Sequence, residues 1–405
     1  MKSDMSGIVI LGGGECGSRA AFSARDQGYS GPITIVDEET GLPYERPPLS
    51  KPDAQGIIRK PICSADMLRD KAITLLDGLQ AISLDREVRC VTLSTGVKLG
   101  YDKLLFATGA SARQLTCDGG ERALSLRTVH DAARIYDIAQ PGTKVVIVGA
   151  GLIGLELAAV LVARGVDVSV LEYAPVALGR NVPRPLAQRI VDRHVSEGSH
   201  IFCGVEVDSI TAGHVVLADG RMLAANLVVA AIGVAPRTGL AAVAGLAIEN
   251  GVCVNDNLCT DDPHVFAAGD CASVQRGGIR QRFETWQNAQ IQGDIAGRNM
   301  AGGQHAFDGP VWFWSDQFDL GLQGVGQTNG AVFATRKVDN DAEVLFYVNE
   351  ASQLVGAVGL GRGNAIAKDI KLAQKLIEAG VSIVAEHLND PDINLKTLLK
   401  PATTA

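Results

Sequence analysis

Unbroken apolar runs, not alternating ones, mark the first two thirds of the chain. Ile8–Leu11, Ile33–Val36, Val145–Val148 and Val168–Leu171 are each four apolar residues or nearly so, and Leu104–Gly109, Leu227–Ile232 and Val265–Asp270 follow the same pattern. Such runs suit strands buried on both faces of a parallel sheet. Between them the pattern predicts helices at Ser18–Asp26, Leu152–Arg164, Arg184–Glu197 and Glu284–Met300. Strand, helix and strand in alternation point to an α/β fold. Shorter strand-like segments lie at Ala81–Leu84, Glu87–Leu93 and Lys98–Leu99, with a Thr95-Gly96 turn, and at Glu206–Thr211 and His214–Leu217, with an Asp219-Gly220 turn. Pro52–Leu76 reads as irregular. From Pro310 the character changes: strand-like segments at Trp312–Gln317, Leu320–Gly324, Gly330–Thr335, Val344–Val348 and Leu354–Val358 predict an antiparallel sheet closed by a helix over Ala365–Ala379.

The punctuation after two of the buried runs carries chemistry. Gly12, Gly14 and Gly17 follow the first strand with G-x-G-x-x-G spacing. The first glycine permits the tight turn, the second lets backbone approach a pyrophosphate, and the third lets helix pack on strand. The helix N-terminus then offers free N–H groups to the phosphates. Asp37 or Glu38, closing the next strand, lies at the offset of about 20 residues expected of a ribose-binding acid. Gly149, Gly151 and Gly154 repeat the spacing, and Glu172 follows Gly154 by 18 residues. A carboxylate there accepts from ribose hydroxyls and repels a 2′-phosphate, which favours NAD over NADP, although Arg180 lies close by. Two fingerprints starting 137 residues apart imply two dinucleotides.

Charge and composition narrow the alternatives. With 46% hydrophobic and 20% charged residues the chain is globular, and its net charge of −8 argues against nucleic acid as a partner. No apolar run reaches the roughly 18 residues of a membrane span, and Met1–Ser6 lacks an apolar signal region, so a cytoplasmic location is expected. Cys16, Cys63, Cys90, Cys117, Cys203, Cys253, Cys259 and Cys271 include no C-x-x-C pair and no metal-ligand spacing, so no metal site is expected. That absence speaks against a disulfide reductase, which needs a nearby thiol to take electrons. Arg276, Arg280 and Arg282 form a local basic cluster, either a solvated loop or a docking patch for an acidic partner. Lys368, Lys371 and Lys375 share one helix face. Trp312 and Trp314 alternate and so point to one face of a strand, where core packing is one reading of Trp312. Asp270 reads either as a helix N-cap or as a ligand to a sugar-like hydroxyl.

The segments Pro43-Tyr-Glu-Arg-Pro-Pro-Leu-Ser-Lys51, Ala107-Thr-Gly109, Val146–Glu156, Val265–Cys271, Glu284–Ala289 and Trp312–Gln317 together resemble the FAD-dependent NADH:ferredoxin reductases of multicomponent oxygenases, the putidaredoxin reductase and biphenyl-type dioxygenase reductase family. The likeness runs from about Ile8 to Leu399, and the proline loop and the Trp-Phe-Trp-Ser-Asp-Gln run are its most specific parts. It implies two Rossmann-like nucleotide-binding domains in a glutathione-reductase-like arrangement, plus a C-terminal α+β domain. The expected boundaries are 1–112 and 236–309 for a discontinuous FAD domain, 113–235 for an NAD domain and 310–405 for the last.

By the same resemblance, FAD would be held by Gly12, Gly14, Gly17, Asp37 or Glu38, Arg46, Lys51, Ala107, Thr108, Gly109, Arg113, Asp270, Trp286 and Trp314. NADH would be held by Gly149, Gly151, Gly154, Glu156, Glu172, Arg180 and Gly233. Lys51 would sit near the flavin N5 with Glu156 beside it, and Trp314 would lie near the flavin and the ferredoxin surface, giving Lys51, Glu156 and Trp314 as the catalytic set. The implied partner is a [2Fe–2S] ferredoxin, plant- or Rieske-type, serving a Rieske-type oxygenase or a cytochrome P450. The competing readings are an NADH oxidase or monodehydroascorbate-type reductase, and a slow-turnover signalling flavoprotein related to apoptosis-inducing factor. One departure from the family pattern is Glu15-Cys16 in the first fingerprint, where Glu15 is expected to face solvent.

Overall fold

The computed structural model describes residues 6–53, 56–180 and 182–399. Residues 1–5, on which the expectation about a signal region falls, and the last six lie outside them. The chain folds as two compact units, one comprising Met1–Pro48, Arg59–Ser111 and Val234–Asp308, the other Leu49–Ile58, Ala112–Gly233 and Gly309–Ala405. Among the described residues no helix is long and apolar enough to cross a membrane.

The first unit is built on a five-stranded sheet in the order Val265–Ala267, Lys103–Phe106, Ile8–Leu11, Ile33–Val36 and Ile73–Leu76. Every pairing in it is parallel, and the apolar runs are buried throughout their length in the central strands. The helix Glu15–Asp26 packs on the helix Trp286–Met300 at very short range. A Cβ on Gly293 would come within 2.4 Å of the Cys16 carbonyl, and one on Gly297 within 2.2 Å of the Ala20 carbonyl. Glycine at these two positions is what allows the helices to touch backbone to backbone.

The second unit contains another parallel five-stranded sheet, ordered His200–Cys203, Asp167–Glu172, Lys144–Val148, Leu227–Ala230 and Leu124–Ser125. It also contains a five-stranded antiparallel sheet, ordered Trp312–Gln317, Leu320–Gly326, Leu354–Arg362, Glu343–Val348 and Ala334–Lys337. The helix Ala367–Glu378 covers this sheet, burying Ile370, Ala373 and Leu376 while Lys368, Lys371 and Lys375 stay exposed. Trp312 packs against the same core and stacks on Trp314, with ring centroids 5.0 Å apart. Two ion pairs join the helix Arg184–Ser196 to the antiparallel sheet: Arg189 to Glu343 at 2.9 Å and Arg193 to Asp319 at 2.8 Å.

Several sequence expectations are corrected. Pro52–Leu76 is not irregular: Ser64 caps the helix Ala65–Asp70, and Ile73–Leu76 is the edge strand of the first parallel sheet. The strand expected over Glu87–Leu93 begins only at Cys90, because Arg89 turns the chain with a φ of 52°. The strand expected over Val265–Asp270 stops at Ala267, and a tight helical turn over Gly269–Cys271 follows. Gly330–Thr335 shifts to Ala334–Lys337. The helix Val129–Ile138 was unforeseen, although Thr128 and Asp131 form a capping box at its start.

A buried arginine anchors the end of the chain. The Arg336 guanidinium donates to the carbonyls of Leu388 at 3.4 Å, Asp390 at 2.6 Å, Pro391 at 2.9 Å and Ile393 at 2.7 Å, and lies 3.4 Å from Asp369. No single apolar side chain can replace those donors, and Asp369 would lose its counter-charge. Arg336→Met is therefore expected to destabilise this domain by about 3–5 kcal/mol. Hydrogen exchange of the amides in 385–399 checks it: exchange should quicken markedly, and wild-type protection would contradict the anchoring role.

Candidate functional site

In each parallel sheet the sequence-derived site residues follow the C-terminal ends of the strands. In the first unit Gly12 follows Leu11, Asp37 follows Val36, Ala107–Gly109 follow Phe106, and Asp270 lies just past Ala267. In the second unit Gly149, Glu172 and Gly233 stand at the corresponding ends of their strands. That edge is where ligands dock on open α/β sheets.

The six fingerprint glycines separate into two kinds. A Cβ on Gly12 would lie 2.2 Å from the Ala107 carbonyl, and one on Gly17 1.9 Å from the Gly12 carbonyl. In the second turn a Cβ on Gly149 would lie 2.4 Å from the Ala231 carbonyl, and one on Gly154 2.1 Å from the Gly149 carbonyl. Gly12 and Gly149 also take positive φ, 108° and 111°. These four are required by the fold itself. The middle glycines are not: a Cβ on Gly14 or Gly151 would meet nothing within 4 Å, and their φ values of −57° and −81° suit any residue. Each also heads a helix with no side-chain cap of its own. The space over both turns fits a pyrophosphate, whose approach a side chain there would block.

The acids flanking these turns have distinct surroundings. Asp37 is held against the first turn, where burial pushes its carboxyl up while a hydrogen bond from the Gly13 N–H opposes the shift. Glu38 instead pairs with Arg237. Arg46 is engaged with Glu39 at 2.7 Å, and Tyr44 donates to the same carboxylate at 2.5 Å. Glu172 accepts from the N–H groups of Ala150 at 2.8 Å and Ala174 at 2.8 Å, which fixes its carboxylate at the second turn. Arg180 is exposed further along the same loop. The Arg113 N–H donates to the Gly233 carbonyl at 3.0 Å, bringing those two positions together.

Other expectations shift. Glu15 does not simply face solvent: Gln290 donates to it at 2.8 Å, and burial pushes its carboxyl up against the pull of Gln290 and Trp286. Asp270 lies inside the Gly269–Cys271 turn, whose cap position is Ala268, so it is not an N-cap. Arg276, Arg280 and Arg282 do not form an open docking patch. Arg276 donates to the Asp308 carbonyl at 2.5 Å, Arg280 to backbone carbonyls of Val254 and Ser273, and Arg282 pairs with Glu284 at 2.5 Å. All eight cysteines are free thiols.

A dense polar cluster lies in the second unit around Glu156. Glu156 is on the helix Leu152–Ala163 that follows the second turn, and only 10% of its side chain is exposed. Lys51 Nζ lies 3.3 Å from Glu156 Oε2 and 3.1 Å from Asp316 Oδ2. Ser50 donates to Oε2 at 2.9 Å, while Ser315 at 2.6 Å and the Asp316 N–H at 3.2 Å donate to Oε1. Three separate segments thus supply one site: the end of the proline loop, the nucleotide helix and the Trp312–Gln317 strand. Tyr136 donates to the Leu49 carbonyl at 3.3 Å and steadies the loop that carries Ser50 and Lys51. Lys51 keeps 30% of its side chain exposed, so a fixed cation faces outward from a satisfied carboxylate. Trp314 lies in the strand that supplies Ser315 and Asp316. Sequence reading had not singled out Ser50, Ser315, Asp316, Gln317 or His194. The signal available was the polar alternation after Trp314, since Ser315 and Gln317 share one strand face and are both buried.

Comparison with known proteins agrees with this organisation. The family model described as pyridine nucleotide-disulphide oxidoreductase matches residues 6–293, and the one described as reductase C-terminal matches residues 312–399. The chain is similar to the ferredoxin reductase for the CYP199A2 system from Rhodopseudomonas palustris, at 33% identity and a TM-score of 0.90, covering 98% of this chain and 100% of that one. It is also similar to a chain of the covalent putidaredoxin reductase–putidaredoxin complex, at 29% identity and a TM-score of 0.90, covering 99% of each. A third match is Fdr9, at 29% identity and a TM-score of 0.85, covering 96% of this chain.

The two kinds of glycine give a test. Gly14→Ala and Gly151→Ala should leave the ligand-free protein within about 1 kcal/mol of wild type, yet weaken dinucleotide binding at the altered turn by at least about tenfold. Calorimetric titration alongside thermal unfolding checks this. Undiminished binding would show that the space over the turns is not a pyrophosphate site.

Proposed function

This chain belongs to the pyridine nucleotide-disulphide oxidoreductase family, and from that premise we propose that it is an FAD-dependent NADH:ferredoxin oxidoreductase passing electrons to a [2Fe–2S] ferredoxin. The observation that carries this reading is the full-length likeness to a ferredoxin reductase, C-terminal domain included, at 33% identity. The ferredoxin in turn supplies an oxygenase. A cytochrome P450 is favoured over a Rieske-type enzyme, because the similar reductase from R. palustris belongs to the CYP199A2 system.

The residue roles follow from the chemistry of the two turns and the Glu156 cluster. The first turn, with Gly12, Gly14, Gly17 and Asp37, would hold FAD, together with Arg46, Ala107–Gly109, Asp270 and Trp286. The second turn, with Gly149, Gly151, Gly154, Glu172 and Gly233, would hold NADH. Glu172, pinned by two N–H groups, would set its carboxylate against a 2′-phosphate, which supports NADH over NADPH. Bound FAD supplies the exchange between a two-electron donor and one-electron acceptors. The protein's part is electrostatic: Lys51 presents a fixed ammonium for negative charge that develops on reduction, and Glu156 and Asp316 fix that ammonium in place. Trp314, stacked on Trp312, offers an aromatic surface beside the cluster. The exposed stripe of Lys368, Lys371 and Lys375 would attract an acidic partner.

Lys51→Met is expected to slow flavin reduction by NADH about a hundredfold, the scale of losing one preorganised charge. FAD content should be unchanged. Stopped-flow absorbance checks the rate, and a rate equal to wild type would remove Lys51 from the mechanism. For the acceptor, cytochrome c reduction should depend on added [2Fe–2S] ferredoxin. Turnover that ignores the ferredoxin and follows oxygen or a small oxidant would favour the small-acceptor reading.

A further inference from the structure

A single file of buried polar groups runs from Glu156 away from Lys51. Ser315 donates to Glu156 Oε1 at 2.6 Å, Gln317 Nε2 lies 2.9 Å from Ser315 Oγ, and His194 Nε2 lies 2.9 Å from Gln317 Oε1. Ser199 Oγ lies 3.4 Å from His194 Nδ1 at the far end. Ser315, Gln317 and His194 are each 0% exposed. Burying three polar side chains is costly where apolar ones would pack, and a structural role alone leaves their common direction unexplained.

That direction can be worked out from donors and acceptors. Gln317 Nε2 lies 3.4 Å from the Leu152 carbonyl, which only accepts, so the amide must turn its NH2 that way. The second hydrogen of the same NH2 then goes to Ser315 Oγ. With that oxygen accepting from Gln317, the serine hydroxyl has its one hydrogen left for Glu156. The opposite face of the amide presents Oε1 to His194, so His194 must carry its hydrogen on Nε2, leaving Nδ1 to accept from Ser199. Each link of the file therefore donates toward Glu156, while the remaining Gln317 amide hydrogen goes to the Leu152 carbonyl. The other tautomer would set a lone pair against Gln317 Oε1, favour a flipped amide and draw the Ser315 hydrogen away from the carboxylate.

We infer that Gln317 and His194 are positioning residues for hydride transfer, acting through Ser315 to hold the Glu156 side chain, and with it Lys51, in place. The inference rests on the reading of Lys51 and Glu156 given above. Burial pushes the His194 imidazole down, which favours the neutral ring this arrangement needs. The charged and titratable groups facing Glu156 are Lys51, Asp316 and Tyr136. Those beside His194 are Arg193, itself paired with Glu197 and Asp319, and Phe318 packs on the imidazole edge-on. The file through Gln317 connects the two sets by hydrogen bonds.

Two measurements test it. In the holoprotein carrying 15N-labelled histidine, NMR should show His194 as the neutral Nε2–H tautomer from pH 6 to 8, with the signal identified by its loss in His194→Gln. An Nδ1–H tautomer or an imidazolium there would overturn the inference, whatever the variants do. The second compares Gln317→Met with wild type in single-turnover reduction by NADH across pH. The variant removes the amide that orients Ser315 toward Glu156, so the single-turnover rate should fall about tenfold across the range. Gln317 also donates to the Leu152 carbonyl beside Gly151, so the NADH dissociation constant is measured alongside and the rates are compared at saturating NADH. An unmoved profile at wild-type rate would overturn the inference. Absence of NADH-dependent flavin reduction in wild type would count instead against the reading of the site, and would leave the tautomer result to decide the file.

Discussion

A carboxylate buried to nine tenths needs every lone pair occupied, and Glu156 meets that requirement with groups from two distant parts of the chain. Ser50 and Lys51 come from the loop after the prolines, Ser315 and Asp316 from the strand that opens the last domain, and Glu156 from the nucleotide helix. The cost of leaving that charge unpaired is what draws loop, helix and strand into one arrangement. The cation so fixed is the feature on which the proposed chemistry depends. Lys51 is confined between two carboxylates, 3.3 and 3.1 Å away, and its remaining exposure has a set direction.

The two glycine-rich turns solve a different problem twice over. Each must bring helix, strand and turn together closely enough that only glycine fits, and each must also leave room for a ligand. Gly12 and Gly17, like Gly149 and Gly154, meet the first demand, with carbonyls inside 2.5 Å of any added Cβ. Gly14 and Gly151 meet the second, since among the described residues an added Cβ at either would meet nothing within 4 Å. A fold that needed only to pack would have no reason to keep glycine at those two positions.

Most of the frame was legible in the sequence because apolar runs and glycine spacing are local signals. Ile8–Leu11, Ile33–Val36 and Val145–Val148 lie where their patterns put them, within a residue at the ends. Ile73–Leu76 escaped because it is an edge strand, half exposed, and lacks the solid burial that makes a central strand obvious. The arginines at 276, 280 and 282 read as a surface cluster because charge in a sequence carries no direction; the fold turns them onto carbonyls and acids. The Glu156 cluster was only half visible. Lys51 and Glu156 came from resemblance, whereas Ser50, Asp316, Gln317 and His194 depend on contacts across more than a hundred residues. No spacing rule links such positions.

The central claim is that two electrons enter from NADH and leave singly to an iron–sulfur protein. It is tested most directly by an anaerobic titration of the holoprotein, counting [2Fe–2S] ferredoxin reduced for each NADH consumed. The account predicts two ferredoxins per NADH, with the flavin fully reoxidised. Flavin that is reduced by NADH yet transfers nothing to the ferredoxin, and reoxidises only when oxygen or a small oxidant is admitted, would contradict it.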